Sequence, residues 1–238
     1  MEFKKEIIYK GMKMSDIILN NHLLILVLER FGIELGLHEK TVEAVCVENN
    51  ISTEMFLTIA NLQNNSSNIP EFLFNCSDTK VIIQYLKNSH QYYSDEVFPH
   101  IIKNIHLMSE HNKKPEMLMV EDFFNEYKNE VDQHFEYENN IVFPYILNLF
   151  ENKRFTSSEN DYSVSEYKEH HDDIEEKLDD LKKLLIQHLP QKDDRVIRRK
   201  TLFALFNLEQ DLIVHAKIEN KILIPLVENM EIQKKENN

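Results

Sequence analysis

His134-Phe135-Glu136-Tyr137-Glu138-Asn139-Asn140-Ile141-Val142-Phe143-Pro144 has a second copy in His215-Ala216-Lys217-Ile218-Glu219-Asn220-Lys221-Ile222-Leu223-Ile224-Pro225. His, Glu, Asn, Ile and Pro recur at identical offsets. On a helix, residues four apart share one face, with Cβ atoms about 6 Å apart. Each copy therefore points an imidazole and a carboxylate the same way. Two such helices facing each other would bring two His and two Glu to one interior point, as di-metal carboxylate sites do inside helical bundles.

Working outward, the copies fall in two of four long periodic segments. These run over about 78–109, 115–150, 163–188 and 193–230. Pro115 suits a first helical turn, where its missing N–H has no intrahelical partner. Ser163-Val164-Ser165-Glu166 fits a capping box. Pro99, Pro144 and Pro225 lie inside the segments and should kink or end their helices locally. Upstream, three shorter helices are expected at about 15–31, 41–48 and 52–63, with Ser15 as an N-cap and Gly32 as a stop. The stretch NNSSNIP at 64–70 reads as a linker. The predicted architecture is all-α: a small N-terminal helical domain at 1–64, then a four-helix bundle at 70–232.

Composition agrees. Three glycines and six prolines in 238 residues leave few turn signals. A formal charge of -14 argues against nucleic acid or an anionic membrane surface as partner, because phosphate binding needs a Lys/Arg face. The apolar run from Leu23 to Leu28 is too short to span a bilayer. Two cysteines, Cys46 and Cys76, cannot build a disulfide framework. With no secretory leader legible, a reducing cytoplasm is expected.

The first segment adds His90 to the two His/Glu pairs, and the third adds the run Glu169-His170-His171-Asp172. One His from each segment and two Glu give four nitrogens and two carboxylates. That donor set suits iron, and manganese would also fit; zinc sites more often use thiolates. The competing reading is a pair of amphipathic helices with similar kinks and solvated His/Glu pairs. Against it, both copies carry flanking apolar residues: Phe135, Ile141, Val142 and Phe143 in one, Ile218, Ile222, Leu223 and Ile224 in the other. Tyr92, Tyr93, Phe135 and Tyr137 lie within about a turn of the histidines. They would line a pocket for a diatomic ligand or fill ordinary bundle core.

Taken together, these residues resemble the hemerythrin-like HHE cation-binding domain. The nearest likeness is to the repair-of-iron-centres proteins, which add a small N-terminal domain. His90 with Val97-Phe98-Pro99, the two repeated motifs, and His171-Asp172-Asp173-Ile174 carry it. The resemblance implies ligands His90, His134, Glu138, His171, His215 and Glu219, holding two non-haem iron ions with an oxo or hydroxo bridge. It favours His171 over His170, which would point about 100° away, and leaves His111 as an outer-site candidate. His22, His38, His100, His106 and His188 have no matched partner and read as structural or surface residues.

Glu29-Arg30-Phe31-Gly32-Ile33 and Lys40-Thr41-Val42-Glu43-Ala44-Val45-Cys46 resemble the family's small domain. Its adjacent cysteines are replaced here by Gly36 and Leu37, so no thiol couple can operate there. The resemblance implies a role in the response to nitric oxide and oxidative stress, through repair of iron–sulfur or other iron centres. The alternatives are a non-catalytic O2- or NO-binding sensor or carrier, and a metal-free scaffold. O2 or NO, an iron-centre client protein and a second copy of the chain are the expected partners. No catalytic side-chain constellation or nucleotide fingerprint is present, and metal-centred repair or gas binding is expected rather than conventional enzyme turnover.

Overall fold

A computed structural model of the chain describes residues 6–64, 78–111, 115–151, 163–170, 176–189 and 194–236. The linker expected at 64–70 lies outside them apart from Asn64, as do His171 and Cys76. The fold is all-α. Among the described residues the only β pairing given is an isolated bridge between Lys13 and Thr41. No described helix is long and apolar enough to cross a membrane.

The N-terminal region forms α1 (Met14–Asn20), α2 (Leu24–Arg30), α3 (Val42–Glu48) and α4 (Thr53–Gln63). The first expected helix is thus two. Asn21 adopts an extended φ of -146° and ends α1. Its side chain accepts from the Leu23 N–H at 3.3 Å and donates to Asn64 Oδ1 at 3.2 Å. A short amide that bonds local backbone competes with helix continuation, and here it wins. Ser15 does not cap α1; Lys13 holds that position with no side-chain bond. Thr41 and Ser52 do cap, accepting from Ala44 and Met55 N–H groups. Gly32, at φ 71°, closes α2 with bonds from Gly32 N–H to Glu29 and from Ile33 N–H to Leu28, the Schellman pattern.

Downstream come α5 (Thr79–Tyr92), α6 (Phe98–His111), α7 (Pro115–Tyr137), α8 (Phe143–Phe150), α9 (Val164–His170), α10 (Glu176–Lys183), α11 (Arg195–Ile218) and α12 (Ile224–Glu236). α5 and α6, α7 and α8, and α11 and α12 are joined without a loop, through single π turns at Tyr93–Val97, Glu138–Val142 and Glu219–Leu223. A fourth π turn, Leu184–His188, ends α10.

Two compact units emerge. One gathers 1–88, 147–154 and 214–238. In it Phe31 and Tyr85 rings meet at 4.9 Å, the Arg30 guanidinium lies over Tyr85 at 5.8 Å, and Asn88 donates to the Arg30 carbonyl at 2.8 Å. The N-terminal helices are therefore packed on α5. Tyr85 is 1% exposed, so truncating it to Ala would cost about 3–5 kcal/mol by analogy with other large aromatic core residues.

The other unit, 89–146 and 155–213, holds a continuous apolar core drawn from α6, α7, α10 and α11. Phe98, Phe124 and Tyr127 pack edge to face or tilted within it. Lys182 of α10 crosses to Glu209 of α11, contacting both carboxylate oxygens at 2.6 Å, and lies over the Phe206 ring at 4.8 Å. That arrangement keeps a buried ammonium paired, as burial demands.

Candidate metal centre

The π turns explain how proline sits inside these helices. In an α-helix, Pro144 would clash with the Asn140 carbonyl and leave it without a donor. Instead the preceding turn widens: the Phe143 N–H bonds to the Glu138 carbonyl, five residues back. The Ile224 N–H reaches Glu219, and the Phe98 N–H reaches Tyr93, in the same way. The expected kink-or-stop is thus an extra residue in one turn, with helical dihedrals at Phe98, Phe143 and Ile224. Each π turn begins six residues before its proline. Glu138 and Glu219 both occupy that first position; in α5–α6 it is held by Tyr93. Such bulges frequently mark functional sites because they re-aim side chains.

Around Glu138 the partners are specific. Its carboxylate is fully buried. His90 Nε2 lies 3.2 Å from Oε2 and His134 Nε2 lies 3.4 Å from Oε1. The Tyr167 hydroxyl donates to Oε1 at 2.7 Å. His90 Nδ1 stands 3.2 Å from Asn139 Oδ1, so the repeated Asn of the motif orients a histidine through its second nitrogen. Phe135 stacks on the His90 ring at 4.1 Å, and Phe143 lies beyond at 5.7 Å. Tyr93, wholly buried, stacks in turn on Phe135. Burial alone would push the Glu138 carboxyl up; the His134 and His90 imidazoles together outweigh it and hold the group well below the usual carboxylate range.

In the second copy, His215 Nε2 lies 3.0 Å from Glu219 Oε1, both residues buried. His90 with Glu138, and His215 with Glu219, each set imidazole nitrogen beside a buried carboxylate, groups that could hold a metal ion. Imidazole nitrogen with carboxylate oxygen is a donor set that iron, manganese or zinc can take. The residues fit a cation on a further ground. Glu138 Oε2 is buried and accepts no hydrogen bond among the described residues. An ionised oxygen in that position is costly unless a positive charge satisfies it.

Residues 81–228 match the hemerythrin HHE cation-binding domain model. The chain belongs to the hemerythrin HHE family. Comparison with curated proteins gave no match. For a hemerythrin-like bundle, the placement of the sequence-selected residues is informative. His134 faces Glu138 at 3.4 Å. His171 lies outside the described residues. His170 and His111 close α9 and α6, and their side chains are likewise not described. His22, His38, His100, His106 and His188 are all exposed, as expected of structural or surface residues. His106 pairs with Glu121 at 2.9 Å and His100 with Asn104 at 3.2 Å, away from the group.

Sequence reasoning missed Tyr167 and overvalued Ile141. Ile141 is 47% exposed whereas Ile222, its counterpart, is 2% exposed, so the apolar match between copies is partial. A signal for Tyr167 did exist: it stands four residues before His171, the spacing that puts His134 beside Glu138.

Proposed function

We propose that the protein holds a non-haem di-iron centre on His90, His134, Glu138, His171, His215 and Glu219. We further propose that it serves the response to nitric oxide and oxidants, through repair of iron–sulfur or other iron centres in the cytoplasm. The observation that carries this reading is the buried His/Glu pair in each motif copy, inside a domain of the hemerythrin HHE family. Bound iron would supply an electrophilic, redox-active position for a diatomic ligand. The chain's own residues do the rest. The imidazoles and carboxylates neutralise and fix the cations. Asn139 holds His90 by its Nδ1 side. Phe135, Phe143 and Tyr93 wall the His90 side with apolar rings and keep bulk water from it.

A second reading is reversible O2 or NO binding without repair, as hemerythrin-like domains bind small ligands. One observation favours it. Gly36 and Leu37 stand where the resemblance to the repair-of-iron-centres proteins implies adjacent cysteines, and Cys46 is buried in α3. Burial pushes its thiol up to about 11, against a smaller opposing effect from Thr53. No nucleophilic thiol serves this region at neutral pH.

The separating experiment incubates iron-loaded protein with an iron–sulfur enzyme damaged by nitric oxide. Recovery of that enzyme's activity supports repair. Reversible spectral change with O2 or NO, and no recovery, supports the carrier reading and ends the repair one.

A further inference from the structure

Tyr167 enters from α9, which begins after Ser163, whose carbonyl accepts the Glu166 and Tyr167 N–H groups. The ring is 2% exposed, and its hydroxyl reaches Glu138 across 29 residues of sequence. A phenol has one proton to give, and an ionised carboxylate can only accept. The contact therefore has one polarity: protonated Tyr167, ionised Glu138. At 2.7 Å it is a charge-assisted bond of the strong kind.

A buried carboxylate can still turn about its last side-chain bond. The Tyr167 donor removes that freedom by fixing Oε1. Oε2 is then held toward His90 Nε2, 3.2 Å away. From this we propose that Tyr167 is a positioning residue: it locks the Glu138 carboxylate so that Oε2 is presented to a metal cation. This rests on the metal reading above and assigns Tyr167 a role without making it a ligand. A ligand sets how many ions bind; a residue orienting a ligand sets how tightly, by about tenfold to a hundredfold.

Two measurements on the full chain test it. Co2+ is titrated anaerobically into the metal-free wild type and Tyr167→Phe. The infrared tyrosine C–O band, picked out by ring-labelled tyrosine, is recorded for metal-free wild type, Tyr167→Phe and Glu138→Gln. Tyr167→Phe should bind the same number of ions about tenfold more weakly. It should also lose one strongly hydrogen-bonded tyrosine band, and Glu138→Gln should shift that same band. Equal Co2+ affinity in wild type and Tyr167→Phe overturns the positioning role. Should Tyr167→Phe not fold, the Glu138→Gln spectrum decides, and an unshifted band overturns the proposal. A wild type that takes up no Co2+ overturns the metal reading and the positioning role with it, even where the band shift proves the hydrogen bond.

Discussion

The two copies of the repeated motif share a register and a backbone device, yet they differ in how closely histidine and glutamate meet and in how far the flanking isoleucine is buried, Ile141 being 47% and Ile222 2% exposed. Both glutamates open a π turn and both sit beside the histidine four residues earlier. Glu138 meets His90 from α5 and Tyr167 from α9. At 3.4 Å its own-helix histidine is farther away than the 3.0 Å of His215 from Glu219. Repetition in sequence thus sets the position of a ligand along its helix. At Glu138, groups from other helices, the His90 imidazole and the Tyr167 phenol, add to the own-helix His134 in favouring the ionised carboxylate.

The largest expected effect comes from removing one carboxylate at a time. Glu138→Ala and Glu219→Ala should each lose most bound metal while helix content by circular dichroism stays nearly unchanged, since removing a buried carboxylate would leave bound cations with excess positive charge. Equal full metal content in both variants would remove both glutamates from the ligand set.

Next in size is the third predicted segment, 163–188, whose helix α9 supplies Tyr167 to the first copy. His171→Ala should cost metal measured by elemental analysis, and His170→Ala should cost little. The reverse order would shift the predicted register of that segment by one residue and change which histidine shares a face with Tyr167.

A chain starting at Ile69 then asks whether His90, the first copy's other partner, depends on the N-terminal helices. It should keep its metal but lose cellular protection against nitrosative stress. Uncovering Tyr85 on α5 should lower Tm by about 5–10 °C. Loss of metal would instead show that the packing of Phe31 and Arg30 on α5 holds His90 in place.

Cys46 gives the smallest effect and serves as a control indifferent to both copies. Its folded pKa of about 11 exceeds the usual 9.0, so folding favours the protonated thiol. That contribution is present below pH 9 and is lost as pH rises toward about 11. Native thiol alkylation at pH 8 should be far slower than in denaturant, and equally slow in the Glu138 and Glu219 variants.

Much of this was legible in the sequence because helical spacing is local. His134 to Glu138, and His215 to Glu219, need only a 3.6-residue period. The all-α fold followed from the same periodicity and the shortage of glycine. What was not legible depends on contacts or on backbone detail below that period. The Tyr167 bond links residues far apart in sequence. The π turns insert a residue that a 3.6-residue template does not count, although a proline six residues after each glutamate was their trace. The break at Asn21 turns on side-chain bonds to Leu23 and Asn64, the latter from the end of a helix formed much later in the chain. Ile141 lost its expected burial because the motif's apolar pattern does not state which face its neighbours cover.

The most direct test of the central claim is the metal content of the full chain, purified without oxygen after iron-replete expression, read with its optical spectrum. About two iron ions per chain are expected and, on oxidation, near-ultraviolet ligand-to-iron charge-transfer absorption. Stoichiometric zinc, or no metal at all, would contradict it.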